Sequence, residues 1–294
     1  MRYRRGANAN FLLATERCNS LCLMCSQPPR DVDDSWRTAE LLDTIDLIDP
    51  DVPALGITGG EPTLLRGQLG LLIEAVARRL PAAQLNILTN GRLLAEPGLA
   101  DTLTASSERV LWAVPLYADT AQTHDFVVQA QGAFEETLNG LYNLAERKQA
   151  IEIRCVVHKA TLPRLEHLAK FIWRNLPFVR HVALMGLEPM GFAKMNRASL
   201  YADPAEYRGT LETAAWHLHD RGIPTSIYNT PLCLLSPAAR KLARRSISDW
   251  KNSYAPECAP CAVRKDCAGF FSSADHNWRS RAIAPINEET IHET

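Results

Sequence analysis

The chain has 294 residues, 46% of them hydrophobic, which is enough for one α/β barrel-sized core or two smaller domains. Its 32 basic and 33 acidic residues give a formal net charge of −1. The composition therefore shows no excess of positive charge of the kind that binds nucleic acid or an anionic membrane. The longest early apolar run, Phe11 to Ala14, is too short to cross a membrane, and no signal-peptide pattern follows the basic N-terminus. We therefore expect a cytoplasmic protein whose eight cysteines serve metal binding or catalysis rather than disulfides.

Short apolar runs alternate with segments of helical periodicity along most of the chain. The runs predict strands at residues 10–14, 53–58, 84–89, 109–116, 150–157 and 180–187, with a possible further strand at 223–228. The periodic segments predict helices at residues 38–48, 67–80, 97–104, 132–148, 162–175 and 203–221. Such alternation is typical of an α/β fold with a parallel sheet. Six units rather than eight predict a partial (β/α)6 parallel barrel, with ligands at the C-terminal ends of its strands.

The pattern changes after residue 228. The remaining segment contains several prolines, half of the cysteines and one predicted short helix near residues 237–249. We therefore predict two parts, a partial barrel over residues 1–228 and a small C-terminal Cys-rich metal-binding extension over residues 229–294.

Three cysteines follow the first predicted strand. Cys18, Cys22 and Cys25 have the spacing Cys-x3-Cys-x2-Cys, so three thiolates lie within eight residues and can hold one metal centre. Thiolates are the ligands that iron–sulfur clusters use, and three of them leave one iron of a four-iron cluster open for catalysis. A structural zinc site is the alternative, although such sites normally have four protein ligands.

A second motif, Gly59-Gly60-Glu61-Pro62, follows the second predicted strand. The glycines let the backbone approach a ligand closely, and the Glu61 carboxylate can receive an ammonium group. An ordinary strand-to-helix turn is the alternative interpretation. In combination, the cysteine motif after strand one and the GGEP motif after strand two resemble the radical S-adenosylmethionine (SAM) superfamily.

The resemblance implies that Cys18, Cys22 and Cys25 bind a [4Fe–4S] cluster whose open iron takes the amino and carboxylate groups of SAM. It also implies that the Gly59–Glu61 segment binds the methionine amino group. An electron, supplied by a flavodoxin- or ferredoxin-type donor, would cleave SAM, and the resulting 5′-deoxyadenosyl radical would abstract a substrate hydrogen.

Other residues are further candidates for the SAM site. Asn90 lies in a Thr-Asn-Gly turn after the third strand, and Glu188 follows the sixth strand in a segment that could form part of the adenine wall. Arg154, in the fifth strand, could meet the SAM carboxylate or form a salt bridge to a helix residue. Met24 stands where the superfamily often has an aromatic residue near adenine. Cys155 alternates with Arg154, which places it in the core against the helices.

The C-terminal cysteines form a second group. Four thiolates fit either a closed [4Fe–4S] cluster or a zinc site, and their spacing does not decide between the two metals. In the radical SAM superfamily such extensions carry auxiliary clusters, in domains called SPASM or twitch, and four cysteines suit the single cluster of the twitch kind. The members of the group are Cys233, Cys258, Cys261 and Cys267.

Several stretches resemble the C-type radical SAM maturase of His-Xaa-Ser repeat peptide systems, and the resemblance covers nearly the whole chain. It implies modification of a precursor peptide with a second radical SAM maturase as partner. Because the first predicted strand begins near residue 10, we expect peptide capture to depend on that partner. The stretches are Leu23–Arg30, Met185–Phe192, Ile247–Lys251 and Gly269–Ser273.

Three residues after or near the end of the fourth strand have more than one possible role each. His124 could touch substrate or donate a proton; Asp125 could do the same or cap a helix. Tyr117 could form a pocket wall, donate a hydrogen or pack in the core. Alternatives for the whole chain are a radical SAM enzyme acting on a small molecule or nucleobase, as in cofactor or tRNA biosynthesis, and a non-catalytic iron–sulfur subunit of a two-maturase complex.

Overall fold

The chain forms an α/β fold built on one parallel sheet. We describe it from a computed structural model that covers residues 3–7, 10–106 and 109–287. Eight strands lie in the sheet in chain order, and all neighbouring pairs are parallel. They are β1 (Asn10–Leu13), β2 (Ala54–Thr58), β3 (Gln84–Leu88), β4 (Val110–Pro115), β5 (Ala150–Val157), β6 (His181–Gly186), β7 (Thr225–Tyr228) and β8 (Ala243–Arg244).

Helices connect these strands. They are α1 (Arg37–Leu47), α2 (Gly67–Arg79), α3 (Pro97–Thr104), α4 (Ala121–Val128), α5 (Ala133–Glu146), α6 (Leu165–Asn175), α7 (Phe192–Met195), α8 (Arg197–Leu200) and α9 (Pro204–His219). In the C-terminal region β9 (Asn252–Ser253) and β10 (Phe270–Phe271) form a separate antiparallel pair. None of the helices in the described ranges is long and apolar enough to cross a membrane.

Apolar periodicity explains why these segments pack as they do. In α6 the buried residues Leu165, Leu168, Ala169 and Ile172 recur at helical spacing, so one stripe of the helix faces the sheet. Strand residues facing the helices belong to the same core, among them the fully buried Cys155. The prediction that Cys155 is a core residue is therefore confirmed.

The predicted α/β class, parallel sheet and Cys-rich C-terminal region are confirmed, and the possible strand at 223–228 is β7. The predicted helix at 237–249 is wrong. That segment holds a 3-10 turn, Ala239–Leu242, and then β8, because its backbone pairs with the edge of β7. The eight-residue helix α4 is an addition to the predicted helices.

Small apolar clusters of the C-terminal region lie apart from the main core. One contains Phe270, Phe271 and Trp278, and another contains Cys267 and Ile286. The region is nevertheless joined to the main sheet, since β8 pairs with β7.

Candidate active site at the carboxyl ends of the strands

A cavity of about 360 Å³ lies at the carboxyl ends of the parallel strands. This is the end at which the loops of such sheets bind ligands. Most of the residues predicted for the site line this cavity, although Glu61 and Pro62 do not. Those that line it are Cys18, Cys22, Met24, Cys25, Gly59, Gly60, Asn90, Tyr117, Arg154 and Glu188.

The three cysteines after β1 share this cavity as partly buried thiols. Burial raises the pKa of Cys18 to about 11, and burial together with the neighbouring thiols raises the pKa of Cys22 to about 12. Burial also raises the pKa of Cys25. These thiols therefore stay protonated near neutral pH unless a bound cation stabilises the thiolates. Among the described residues no three ligating side chains converge on a single ion, so the fit rests on the donor chemistry and the shared cavity.

Gly59 and Gly60 allow two loops to pack backbone to backbone. A Cβ on Gly59 would lie 2.4 Å from the Thr15 carbonyl oxygen, and one on Gly60 would lie 2.1 Å from that of Arg17. The Gly60 amide donates to the Thr15 carbonyl at 2.8 Å. The motif predicts that the glycines allow close approach of a ligand. The structure shows that both must lack a side chain because the backbone leading into Cys18 packs against them.

The Glu61 carboxylate faces into the protein, which corrects the expectation that it receives an ammonium group. The side chain is fully buried. One carboxylate oxygen accepts from Thr63 N at 2.9 Å, Thr63 Oγ1 at 2.6 Å and Thr89 Oγ1 at 2.6 Å, and the other accepts from Asn90 N at 2.6 Å. Burial raises its pKa, while these hydrogen bonds oppose the rise. Glu61 therefore ties the loop after β2 to the loop after β3. Pro62 is buried and begins the 3-10 turn Pro62–Leu65.

Glu61→Gln should destabilise the fold by about 1–3 kcal/mol. Both oxygens of the buried carboxylate accept hydrogen bonds, and in glutamine an NH2 group, which is a donor, replaces one of these acceptors. Urea unfolding of the variant and the wild type measures this difference. Glu146→Gln is the control, since its exposed pair with Arg147 at 3.8 Å should contribute little. Equal midpoints for Glu61→Gln and Glu146→Gln would show that the buried carboxylate is not needed.

Two residues of the loop after β3 form hydrogen bonds to the cysteine loop, the loop after β1 that carries Cys18, Cys22 and Cys25. Asn90 Nδ2 donates to Asn19 Oδ1 at 2.6 Å. Arg92 Nη1 donates to the Asn19 carbonyl and, at 3.1 Å, to Ser20 Oγ, while its Nε donates to Glu136 at 2.5 Å. Asn90 is among the residues predicted from the sequence and Arg92 is not; the signal for Arg92 is a cation directly after the Thr-Asn-Gly turn. Arg92 places a positive charge beside the loop that carries the thiols.

Arg154 reaches the cavity from β5 and is oriented by a hydrogen-bonded chain across three strands. Its Nε donates to Glu152 at 2.5 Å, so its ion-pair partner lies on its own strand and not on a helix. The other Glu152 oxygen lies 2.8 Å from His181 Nδ1, and His181 Nε2 lies 2.9 Å from Ser226 Oγ. The pKa of Glu152 is lowered by His181 and Arg154 despite its burial. Arg154 lines the cavity, where a guanidinium group can bind a carboxylate.

The three candidate residues that follow β4 in the chain have different positions. Tyr117 is buried and lines the cavity. His124 lies behind it, and its Nδ1 accepts from Tyr117 N at 3.4 Å. Asp125 accepts from the amides of Gly132 at 2.7 Å and Phe134 at 2.8 Å, so it caps α5 as one of its two proposed roles requires. On the opposite wall, the Glu188 carboxylate pairs with Lys251 at 2.9 Å.

His158 follows β5 and is buried with both ring nitrogens unpartnered. Burial lowers its pKa from 6.5 to about 4, so the folded state holds the ring neutral while the unfolded chain protonates near pH 6.5. This stability is fully present above pH 6.5 and falls as the pH decreases towards 4. Between pH 7 and 5 we expect a loss of about 2 kcal/mol from this residue, measured by urea unfolding. His158→Phe should show a smaller pH dependence; an unchanged dependence would contradict the assignment.

The four C-terminal cysteines also share a cavity. Backbone amides point at their sulfurs, with Leu232 N and Gly269 N each 3.4 Å from Cys267 Sγ and Ile286 N 3.5 Å from Cys261 Sγ. Burial raises the pKa of Cys267. Hydrogen bonds to sulfur are a feature of thiolate-bound metal centres. The cysteines lining the cavity are Cys233, Cys258, Cys261 and Cys267.

The family model of the radical SAM superfamily matches residues 12–172, which include the loops after β1, β2 and β3. The chain belongs to the radical SAM superfamily. Membership implies a [4Fe–4S] cluster and SAM as cofactors, and the cavity-lining thiols and glycines fit both groups.

Curated relatives of this radical SAM protein are named GTP 3′,8-cyclase. The protein from Petrotoga mobilis is 24% identical over 215 residues, which are 70% of this chain and 64% of the relative. The protein from Peptoclostridium acidaminophilum is 30% identical over 145 residues, which are 47% of this chain and 43% of the relative. The chain therefore matches less than two thirds of the length of either relative.

Solved structures with a similar fold include proteins with a bound peptide. Streptococcus suis SuiB bound to the precursor peptide SuiA has a TM-score of 0.61 at 16% identity, covering 77% of this chain and 49% of SuiB. The protein anSMEcpe with bound AdoMet and a peptide has a TM-score of 0.57 at 16% identity, covering 74% of this chain and 62% of that protein. At these identities the likeness concerns the fold.

Proposed function

We propose that this radical SAM enzyme reductively cleaves SAM to a 5′-deoxyadenosyl radical and uses it to modify a ribosomally made precursor peptide of the His-Xaa-Ser type. The observation that carries the proposal is the convergence of three thiols, the Gly59–Gly60 backbone and Arg154 on one cavity. When bound, the cluster supplies the electron that cleaves SAM. The sequence resemblance and the peptide-bound structural neighbours support a peptide substrate.

The role proposed for each residue follows from its position in the cavity. Cys18, Cys22 and Cys25 would hold the [4Fe–4S] cluster. The backbone at Gly59 and Gly60 would accept from the SAM ammonium, and the free guanidinium nitrogens of Arg154 would bind its carboxylate. Asn90 would brace the cysteine loop, and the Leu187–Pro189 segment with Glu188 would form the opposite wall, near the adenine.

The C-terminal extension, residues 229–294, would hold a second metal centre through its four cysteines, and residues 1–228 would form the SAM-binding barrel. The backbone N–H bonds to Cys261 and Cys267 suit thiolate ligands of either metal. The resemblance to the radical SAM superfamily favours a fully ligated [4Fe–4S] cluster of the twitch kind, with zinc as the alternative. A second radical SAM maturase and a flavodoxin- or ferredoxin-type electron donor would be partners in the cytoplasm.

A second candidate substrate is a purine nucleotide, because two curated relatives carry the name GTP 3′,8-cyclase. The two functions differ in what the cavity must accept. A nucleoside triphosphate carries several negative charges, whereas the main chain of a peptide segment is neutral.

Anaerobic reconstitution followed by metal analysis and reaction with SAM and dithionite tests the proposal. The substrates are a synthetic peptide with His-Xaa-Ser repeats, with and without the partner maturase, and GTP. Formation of 5′-deoxyadenosine with a mass change in the peptide supports the proposal, while conversion of GTP supports the alternative. About eight irons per chain would indicate two clusters, and about four irons with one zinc would make the extension a zinc site.

A further inference from the structure

One edge of the main sheet carries unpaired backbone groups. Strand β1 lies at the end of the sheet and pairs with β2 alone within the described residues. The Ala14 amide donates to the Thr58 carbonyl at 2.7 Å, so in this parallel ladder the even-numbered residues of β1 face β2. The N–H and C=O groups of Phe11 and Leu13 therefore point away from the sheet.

A second cavity, of about 610 Å³, opens beside this free edge. Phe11 and Leu13 form one wall, and Trp250 and Lys251 form another. The cavity continues into the SAM cavity, since the two share Ser26, Gln27, Thr58, Leu88 and Glu188. A ligand lying along β1 would thus lead directly to the reacting end of the site.

The charges around this cavity favour a neutral main chain over a polyanion. Its two basic residues are already paired, Arg4 with Asp249 at 3.4 Å and Lys251 with Glu188 at 2.9 Å. An extended peptide presents donors and acceptors at the repeat of a strand, and its alternate side chains point to opposite faces. That repeat matches the two outward-facing residues of β1.

We propose that an extended segment of the substrate peptide pairs with the free edge of β1 as an added strand and is thereby guided into the SAM cavity. The inference rests on the proposed peptide-modifying function and adds the mode of binding. Phe11 and Leu13 would each exchange main-chain hydrogen bonds with the peptide, while Trp250 would pack against its side chains.

The test is a scan of backbone N-methylation. A fluorescent synthetic peptide with two His-Xaa-Ser repeats is prepared with a single N-methyl group at successive positions. Its Kd for the reconstituted holoenzyme with SAM is measured by fluorescence anisotropy. Strand pairing predicts an alternating pattern, with binding weakened about threefold to tenfold at every second position and little changed between them. Uniform weakening, or no weakening, would overturn the proposal.

A protein variant provides an independent readout. Leu13→Pro removes the outward N–H without removing a bond of the β1–β2 ladder, a position at which proline is tolerated in an edge strand. Leu13→Ala is the matched control that keeps the N–H. The proline variant should bind the peptide about threefold to tenfold more weakly than the alanine variant, at equal iron content and SAM affinity. Equal peptide affinities would count against pairing.

Different results contradict strand pairing and the proposed function. A wild-type enzyme that modifies the peptide without an alternating N-methyl pattern refutes strand pairing and leaves the proposed function standing. A wild-type enzyme that cleaves SAM but neither binds nor modifies the peptide, with or without the partner maturase, refutes both.

Discussion

Cys18→Ala should abolish SAM cleavage and lower the iron content by about one cluster, roughly four irons per chain. Two remaining thiols cannot hold a cluster that needs three ligands and one open iron. The measurement is iron analysis of the anaerobically reconstituted variant, combined with chromatography of 5′-deoxyadenosine after reduction with dithionite.

Two further cysteine variants serve as controls. Cys155 is fully buried in the core and faces the helices, so Cys155→Ala should keep both the iron and the cleavage reaction. Cys261 belongs to the C-terminal group, so Cys261→Ala should lose the second metal or destabilise that region while some cleavage remains. Loss of all bound metal, iron and zinc together, in the Cys18 variant, or loss of all iron in the Cys261 variant, would contradict two independent metal sites.

The sequence predicted the fold because each main element carries a clear local pattern. The buried stripe of α6 and the apolar run of β5 are readable without knowing their partners. Strand β8 was missed because only pairing with the β7 edge makes its two residues a strand. Helix α4 was missed although α3 has the same length, because α4 lacks the proline with which α3 begins.

The candidate site was predictable in its residue types but not in its internal contacts. The spacing of Cys18, Cys22 and Cys25 is local and was visible in the sequence. The role of Glu61 depends on Thr89, 28 positions away, and the neighbours of Gly60 lie in the segment before Cys18. Such contacts arise when the ends of parallel strands meet at one edge of a sheet, so they follow from the fold and not from the motif.

Gly60→Ala should disrupt the cysteine loop and the fold together. Its Cβ would lie 2.1 Å from the Arg17 carbonyl oxygen and 2.6 Å from the carbonyl carbon, and a backbone neighbour cannot rotate away as a side chain can. Overpacking of this kind costs about 1–3 kcal/mol, and relief requires the chain before Cys18 to move. We therefore expect a lower urea midpoint, reduced iron retention and weaker SAM binding in the same variant.

Gly67→Ala is the matched control. Gly67 begins α2, and a Cβ there would meet nothing within 4 Å, so alanine should stabilise the protein by about 0.4–1 kcal/mol by restricting the unfolded chain. Its iron content and SAM affinity should equal those of the wild type. A Gly60→Ala protein as stable as Gly67→Ala, with full iron, would mean that the two loops can separate without loss of the site. Reduced iron and SAM binding at an unchanged urea midpoint would instead mean that the glycine serves the position of the cysteine loop alone.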